Sequence, residues 1–134
     1  LIKRGEHPYK GKYALPGGFV LKDEDVYDAA SRELYEETHL KQSYLKLMDV
    51  YSKKNRDPRG WIMSNTFMAL VDGRSCNLRA DSDAWEAKWF DLAMNIEEMK
   101  NELSGYIDDI LINSLLLAIL INSLYEFINA LAGS

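Results

Sequence analysis

Seven acids, Asp23, Glu24, Asp25, Asp28, Glu33, Glu36 and Glu37, crowd residues 23–37 with one base, Arg32, among them. Val26 to Thr38 reads as a helix, with Asp23 to Asp25 as N-cap candidates. At 3.6 residues per turn, Val26, Ala30, Glu33 and Glu37 share one stripe, which starts apolar and ends in carboxylates. Glu36 lies about 60° to one side of Glu33, so three carboxylates fall within an arc of about 100°. A solvated charged face would put its acids opposite Val26, whereas these continue the face that should turn toward a sheet. Like charges on a partly buried face repel and desolvate one another, and a divalent cation is the usual compensation. Carboxylate oxygens favour Mg²⁺, with Mn²⁺ as a substitute, and such sites keep positions open for water and phosphate oxygens. Arg32 precedes Glu36 by four and could brace it from behind. The same acids also fit an ordinary charged helix with i, i+4 pairs.

Other elements must hold this helix in place. Leu1–Arg4 reads as a strand, followed by a turn-rich loop around Gly5, Pro8 and Gly11. Tyr13–Leu15 is a short strand running into Pro16-Gly17-Gly18, where paired glycines allow positive φ or close approach of a ligand. Leu45–Lys53 and Trp61–Val71 are strand candidates, and Asp57-Pro58-Arg59-Gly60 between them has the residues of a type I turn, which predicts a β-hairpin. Ala84–Phe90 is another strand candidate, and Ile96–Leu103 and Ile107–Leu131 read as helices, the second with a break near Asn122. This order suggests a mixed sheet flanked by helices. In the last helix Ser114, Asn122, Glu126 and Asn129 gather on one side; its wide apolar face suits a packed core helix or a subunit contact, hence an expected homodimer. With no Lys or Arg to meet lipid head groups, a membrane-surface role is disfavoured.

With 134 residues, 47% of them hydrophobic, the chain is one domain's worth and can bury a core without disulfides or a structural metal. The formal charge of −5 argues against a duplex nucleic-acid binder. Residues 23–37 carry −6 and residues 101–134 carry −4, which leaves a body of +5. An acidic cluster in a basic body suits a bound metal and an anionic ligand. The lone Cys76 excludes an intrachain disulfide and a cysteine zinc site, and fits a reducing compartment, so a cytoplasmic location is expected. No signal peptide opens the sequence, and its longest apolar stretch, Ile110–Ile121, is too short to span a bilayer. The chain begins at Leu1, in what reads as the end of a strand, so upstream residues are expected to precede it.

From Gly18 to Leu40 the order is Gly, five residues, Glu24, seven residues, Arg32-Glu33-Leu34, one residue, Glu36-Glu37, one residue, His39-Leu40. This resembles the Nudix box, which has Gly where His39 stands and matches at the other eight of nine defined positions. The resemblance implies an α/β fold, a Nudix-type α/β/α sandwich with a mixed β-sheet. It also implies hydrolysis of a nucleoside diphosphate linked to another group, with Mg²⁺ or Mn²⁺. By position, Glu33, Glu36 and Glu37 are then the metal ligands and Glu33 also a base candidate. Glu24 and Arg32 become orienting residues, and a backbone carbonyl near Gly17 or Gly18 a further ligand. Lys3-Arg4-Gly5, Leu15 to Phe19, Asp57 to Gly60, and Asp83 with Glu86 to Phe90 resemble the ADP-ribose pyrophosphatase type and the NAD-linked regulators built on the same domain. Likeness covers most of residues 1–91; residues 101–134 stand apart as a divergent C-terminal helical element.

Nudix enzymes often place another acid well after the box, so Glu86 is a candidate metal ligand or base. Arg4, Lys53, Lys54, Arg56 and Arg59 are candidates for phosphate contacts. Trp61, Trp85 and the tyrosines could stack on a base, although strand aromatics are more often core. His7 reads as a surface loop residue. His39 occupies a position that favours left-handed backbone, at a cost of roughly 1 kcal/mol. The leading expectation is a Mg²⁺-dependent pyrophosphohydrolase acting on ADP-ribose or a related dinucleotide. A damaged nucleoside triphosphate as substrate, or a non-catalytic module sensing an ADP-ribose-like ligand, are the alternatives.

Overall fold

The helix expected over Val26–Thr38 is α1, with those same bounds, in the computed structural model, which describes residues 1–42, 44–71, 78–80 and 84–90. Asp25 caps it in extended backbone, its Oδ1 accepting the Tyr27 and Asp28 N–H groups at 2.8 and 3.0 Å. The helix ends at His39, whose φ of 57° and ψ of 16° are left-handed and whose N–H donates to the Tyr35 carbonyl. Thr38 secures the exit: its hydroxyl donates to the Leu34 carbonyl and accepts the Leu40 N–H.

Strand β1 (Ile2–Arg4) is the middle of an antiparallel ladder with β2 (Tyr13–Ala14) on one side and, on the other, the strand Ala84–Ala87. Ile2 lies opposite Ala14 and Ala87, and these residues with Ala80 and Ala84 form a small core. Pairing brings Lys3, Tyr13 and Glu86 to the opposite face of that sheet. The Arg79 N–H donates to the Thr38 carbonyl and ties the end of α1 to the approach to this last strand.

Strands β3 (Tyr44–Tyr51) and β4 (Ser64–Leu70) form a separate antiparallel ribbon, so the last strand, Ala84–Ala87, is β5. A register shift between Leu47 and Asp49 kinks the ribbon. Edge-to-face packing of Tyr27 on Phe67, ring centroids 4.9 Å apart, joins α1 to β4.

The α/β class and the order of elements as far as Ala84–Ala87 follow expectation, and every ladder among the described residues is antiparallel. Three strand ends differ by more than one residue. β3 stops at Tyr51 and β4 starts at Ser64, because residues 52–63 fold on themselves around the Asp57–Gly60 turn, which the Asp57 carboxylate closes by accepting the Arg59 N–H. Trp61 consequently stands 91% exposed rather than in a strand. β5 ends at Ala87, although Lys88 donates one further bond to Leu1 and Phe90 packs edge-on against Tyr13. The helices expected over 96–103 and 107–131, and Cys76, lie outside the described residues. Among the described residues no helix is long and apolar enough to cross a membrane.

Candidate active site

Arg32 is the hub of the acidic helix face. Its Nε and Nη2 donate to the two Glu24 oxygens at 3.0 and 2.7 Å, and its Nη1 donates to Glu33 at 2.7 Å and Glu36 at 3.0 Å. Nη2 also reaches the Phe19 carbonyl, which binds the glycine loop to the helix. The i, i+4 brace expected from Arg32 to Glu36 is present, and Glu24 and Glu33 share it. Hydrogen bonding to Glu24 and then to Glu33 holds the guanidinium proton more tightly than usual. Reciprocally, the Arg32 bond, helped by the Leu21 N–H, holds the Glu24 carboxyl below the usual range.

Glu37 is the most buried acid of this helix, 5% exposed, and its Oε2 accepts the Gly17 N–H at 2.8 Å. Gly17 delivers that N–H from a φ of 157°, a conformation L side chains rarely adopt. Gly18 comes so close to Glu33 that a Cβ there would run into its carboxylate. The glycine pair therefore lets backbone close on two helix acids at once.

The described part of the chain holds no group of three His, Cys, Asp or Glu side chains drawn together at metal-ligand spacing, since Arg32 and Gly17 hold these acids where they are. The donor set nonetheless fits a hard divalent cation: carboxylate oxygens from one helix face, with a cradle at Gly18 that any side chain would fill.

A cleft of about 500 Å³ runs past this site. Gly17, Gly18 and Phe19 line it with Val26, Ala30 and Glu33 of α1; Arg56, Arg59, Ser64 and Phe67 line it from the ribbon side, and Arg4 from β1. All three arginines expected to contact phosphate thus share one cleft with Glu33 and Gly18. Their states differ. Arg4 donates Nε to the Pro8 carbonyl at 2.8 Å. Arg59 grips Asp57 with two bonds of 2.9 and 2.7 Å and lies over the Phe19 ring, 5.3 Å from its centroid. The Asp57 side chain is only 1% exposed, and the Arg59 guanidinium keeps its carboxyl below the usual range. Arg56 donates Nη2 to the Ser64 hydroxyl, while its Nε and Nη1 are buried without an acceptor. A buried donor left unpaired typically costs about 1–3 kcal/mol.

Other candidates are placed elsewhere. Glu86 lies on β5 beside Lys3, 3.9 Å from its Nζ, on the sheet face away from Ile2, and does not line the cleft. Lys54 and Trp61 border a different hollow of about 590 Å³, Trp85 is exposed with the Lys10 ammonium over its ring, and Lys53 and His7 are exposed. In the sequence Asp57 reads only as a turn residue, and Ser64, Phe19 and Phe67 do not stand out as site residues. The Asp-x-Arg spacing was the signal available for the first; nothing local marks Ser64.

The NUDIX domain family model matches residues 1–110, and the chain belongs to the Nudix family, with its α/β fold. It is 49% identical over 92 residues to the ADP-ribose pyrophosphatase of Methanocaldococcus jannaschii, covering 69% of this chain and 53% of that protein. It is 38% identical over 74 residues to the ADPR responsive transcriptional repressor NtrR of Acinetobacter baylyi, covering 54% of this chain and 30% of the repressor. The bifunctional NMN adenylyltransferase/ADP ribose pyrophosphatase of Francisella tularensis, solved with AMP and a Mn ion, superposes with a TM-score of 0.68 at 30% identity, over 85% of this chain and 37% of that one. The chain thus spans about half of the archaeal relative and under a third of the repressor.

Proposed function

We propose that this chain hydrolyses the diphosphate bond of a nucleoside diphosphate linked to another group, ADP-ribose or a related dinucleotide, with Mg²⁺ or Mn²⁺. The observation that carries the reading is the single cleft in which Glu33 and Gly18 face Arg4, Arg56 and Arg59. The names of the archaeal and Francisella relatives support ADP-ribose as the substrate. Glu33, Glu36 and Glu37, with the Gly18 carbonyl, would hold the cation. When bound, it supplies charge neutralisation at the phosphate oxygens and a more acidic water. Arg32 keeps Glu33 and Glu36 oriented through its Nη1, and Glu24 fixes the other side of the guanidinium. The Gly17 N–H sets the rotamer of buried Glu37. Glu33, within the cleft and beside Gly18, is the group placed to take a proton from water. Glu86, held by Lys3, is left out of this set.

The test incubates the protein with ADP-ribose and other nucleoside diphosphate derivatives, with and without Mg²⁺, and identifies products by mass. Metal-dependent cleavage of ADP-ribose to AMP and ribose 5-phosphate is expected. Glu37→Gln should keep the fold and lower turnover at least about 100-fold, since even outer-shell partners of a metal account for 10- to 100-fold. Full activity in that variant refutes the site. No cleavage of any derivative refutes the function, and intact ADP-ribose held under Mg²⁺ replaces it with a sensing module.

A further inference from the structure

The three arginines of the cleft do different work, and the difference is written in their hydrogen bonds. Arg59 has both arms on a buried carboxylate and its face on Phe19, so its charge is spent on joining the 57–60 turn to the glycine loop. Arg4 is turned to a backbone carbonyl of its own loop. Arg56 alone of the three has two buried guanidinium nitrogens with no acceptor. Its third nitrogen is pinned by Ser64, the first residue of β4. Asp57 is near enough for the Arg56 charge to be felt at its carboxyl, but both Asp57 oxygens are bonded to Arg59. Arg56 is partly buried, and buried donors left unmet are unfavourable unless something else supplies the acceptors. What it lacks is an anion with several oxygens, and it lines the cleft that contains Glu33.

We infer that Arg56 is the anion anchor of this cleft: a small shift of the side chains that cover its unpaired Nε and Nη1 lets them receive phosphate oxygens while Ser64 holds the guanidinium in place. Arg59 and Arg4 are positioning residues that shape the wall. The assignment rests on the reading of the cleft as a diphosphate site, and it says which side chain recognises the diphosphate. It also separates recognition from stability: Arg56 is a residue the empty fold would be better without.

The test titrates inorganic pyrophosphate, then ADP-ribose, into the metal-free protein by calorimetry, in wild type, Arg56→Met, Arg56→Lys, Ser64→Ala and, as a control for net charge, Lys46→Met at an exposed position of β3. Arg56→Met is expected to weaken pyrophosphate binding about 10- to 100-fold, the worth of a charge-assisted pair. Its melting temperature without ligand should hold or rise. Arg56→Lys restores charge without the fork and should recover affinity in part, Ser64→Ala should lose a few-fold, and Lys46→Met should match wild type. Wild-type affinity in Arg56→Met overturns the inference, as does a wild type that binds no pyrophosphate. A large fall in melting temperature also overturns it, since Arg56 would then serve the fold. Arg56-dependent pyrophosphate binding in a protein that cleaves no nucleoside diphosphate derivative retires the hydrolase reading and leaves the anchor standing. Cleavage of ADP-ribose with an unchanged KM in Arg56→Met does the reverse.

Discussion

The Asp57–Arg59 pair should respond very unequally to loss of its two members. The Asp57 side chain is 1% exposed and that of Arg59 36%, so only the acid is cut off from water. Arg59→Met removes two charge-assisted bonds and leaves a buried carboxylate with the residue-59 N–H as its remaining hydrogen bond. Breaking a buried pair in this direction costs about 3–5 kcal/mol, and the surviving bond places the expectation near 3 kcal/mol. Asp57→Asn keeps an acceptor for the N–H and returns a partly exposed guanidinium to water, for about 1–2 kcal/mol. In a domain of this size about 4 °C of melting temperature accompanies each kcal/mol, so the two variants should differ by about 4–8 °C. Urea unfolding with a common slope supplies the free energies, and the double variant should lose clearly less than the two losses added. Equal losses, or a worse outcome for Asp57→Asn, would show that burial of the carboxylate is not what makes the pair matter.

The same pair sets a pH dependence. The folded Asp57 carboxyl lies below its ordinary value, so its contribution is complete above about pH 4 and is lost as pH falls through the depressed value. The stability gap between wild type and Asp57→Asn should therefore be constant from pH 6 to 8 and close on acidification; a gap that widens below pH 4 contradicts it. Gly18→Ala should displace the Glu33 carboxylate, a movable group, and so lower turnover more than stability; unchanged turnover would mean that Glu33 is not needed where it lies. His39→Gly relieves a left-handed φ of 57° at the price of a more flexible unfolded chain and the Tyr35 ring contact, for a net change between zero and about +1 kcal/mol. A clear drop in melting temperature would show that the imidazole is held by specific contacts.

What was legible in the sequence is whatever neighbours along the chain decide. Periodicity and capping gave α1 to the residue, and the Asp25 cap, the left-handed His39 and the Arg32–Glu36 brace are all spacing effects. Glu37 is buried because it continues the line of Val26 and Ala30, a position periodicity alone assigns. Glu86 was read from its place in a family pattern, and its pairing with Lys3 depends on strand register, which no local signal encodes. In sequence Asp57 is a turn residue and Arg59 a candidate phosphate contact; that they neutralise each other follows from burial, a tertiary outcome. The same holds for Ser64 and for the division of labour among the arginines.

Among the described residues the cleft lies between two ladders that share no strand pairing: β2, β1 and β5 form one, β3 and β4 the other. Its walls meet through side chains, Tyr27 on Phe67 and Arg59 on Phe19. Widening it therefore slides rings and a guanidinium and breaks no ladder bond. The backbone fixes the chemistry at one end, where Gly17 and Gly18 press on the acids, and leaves the gauge of the channel to soft contacts. On the hydrolase reading proposed above, a scaffold divided in this way would accept groups of different size beyond the diphosphate without disturbing the helix carboxylates.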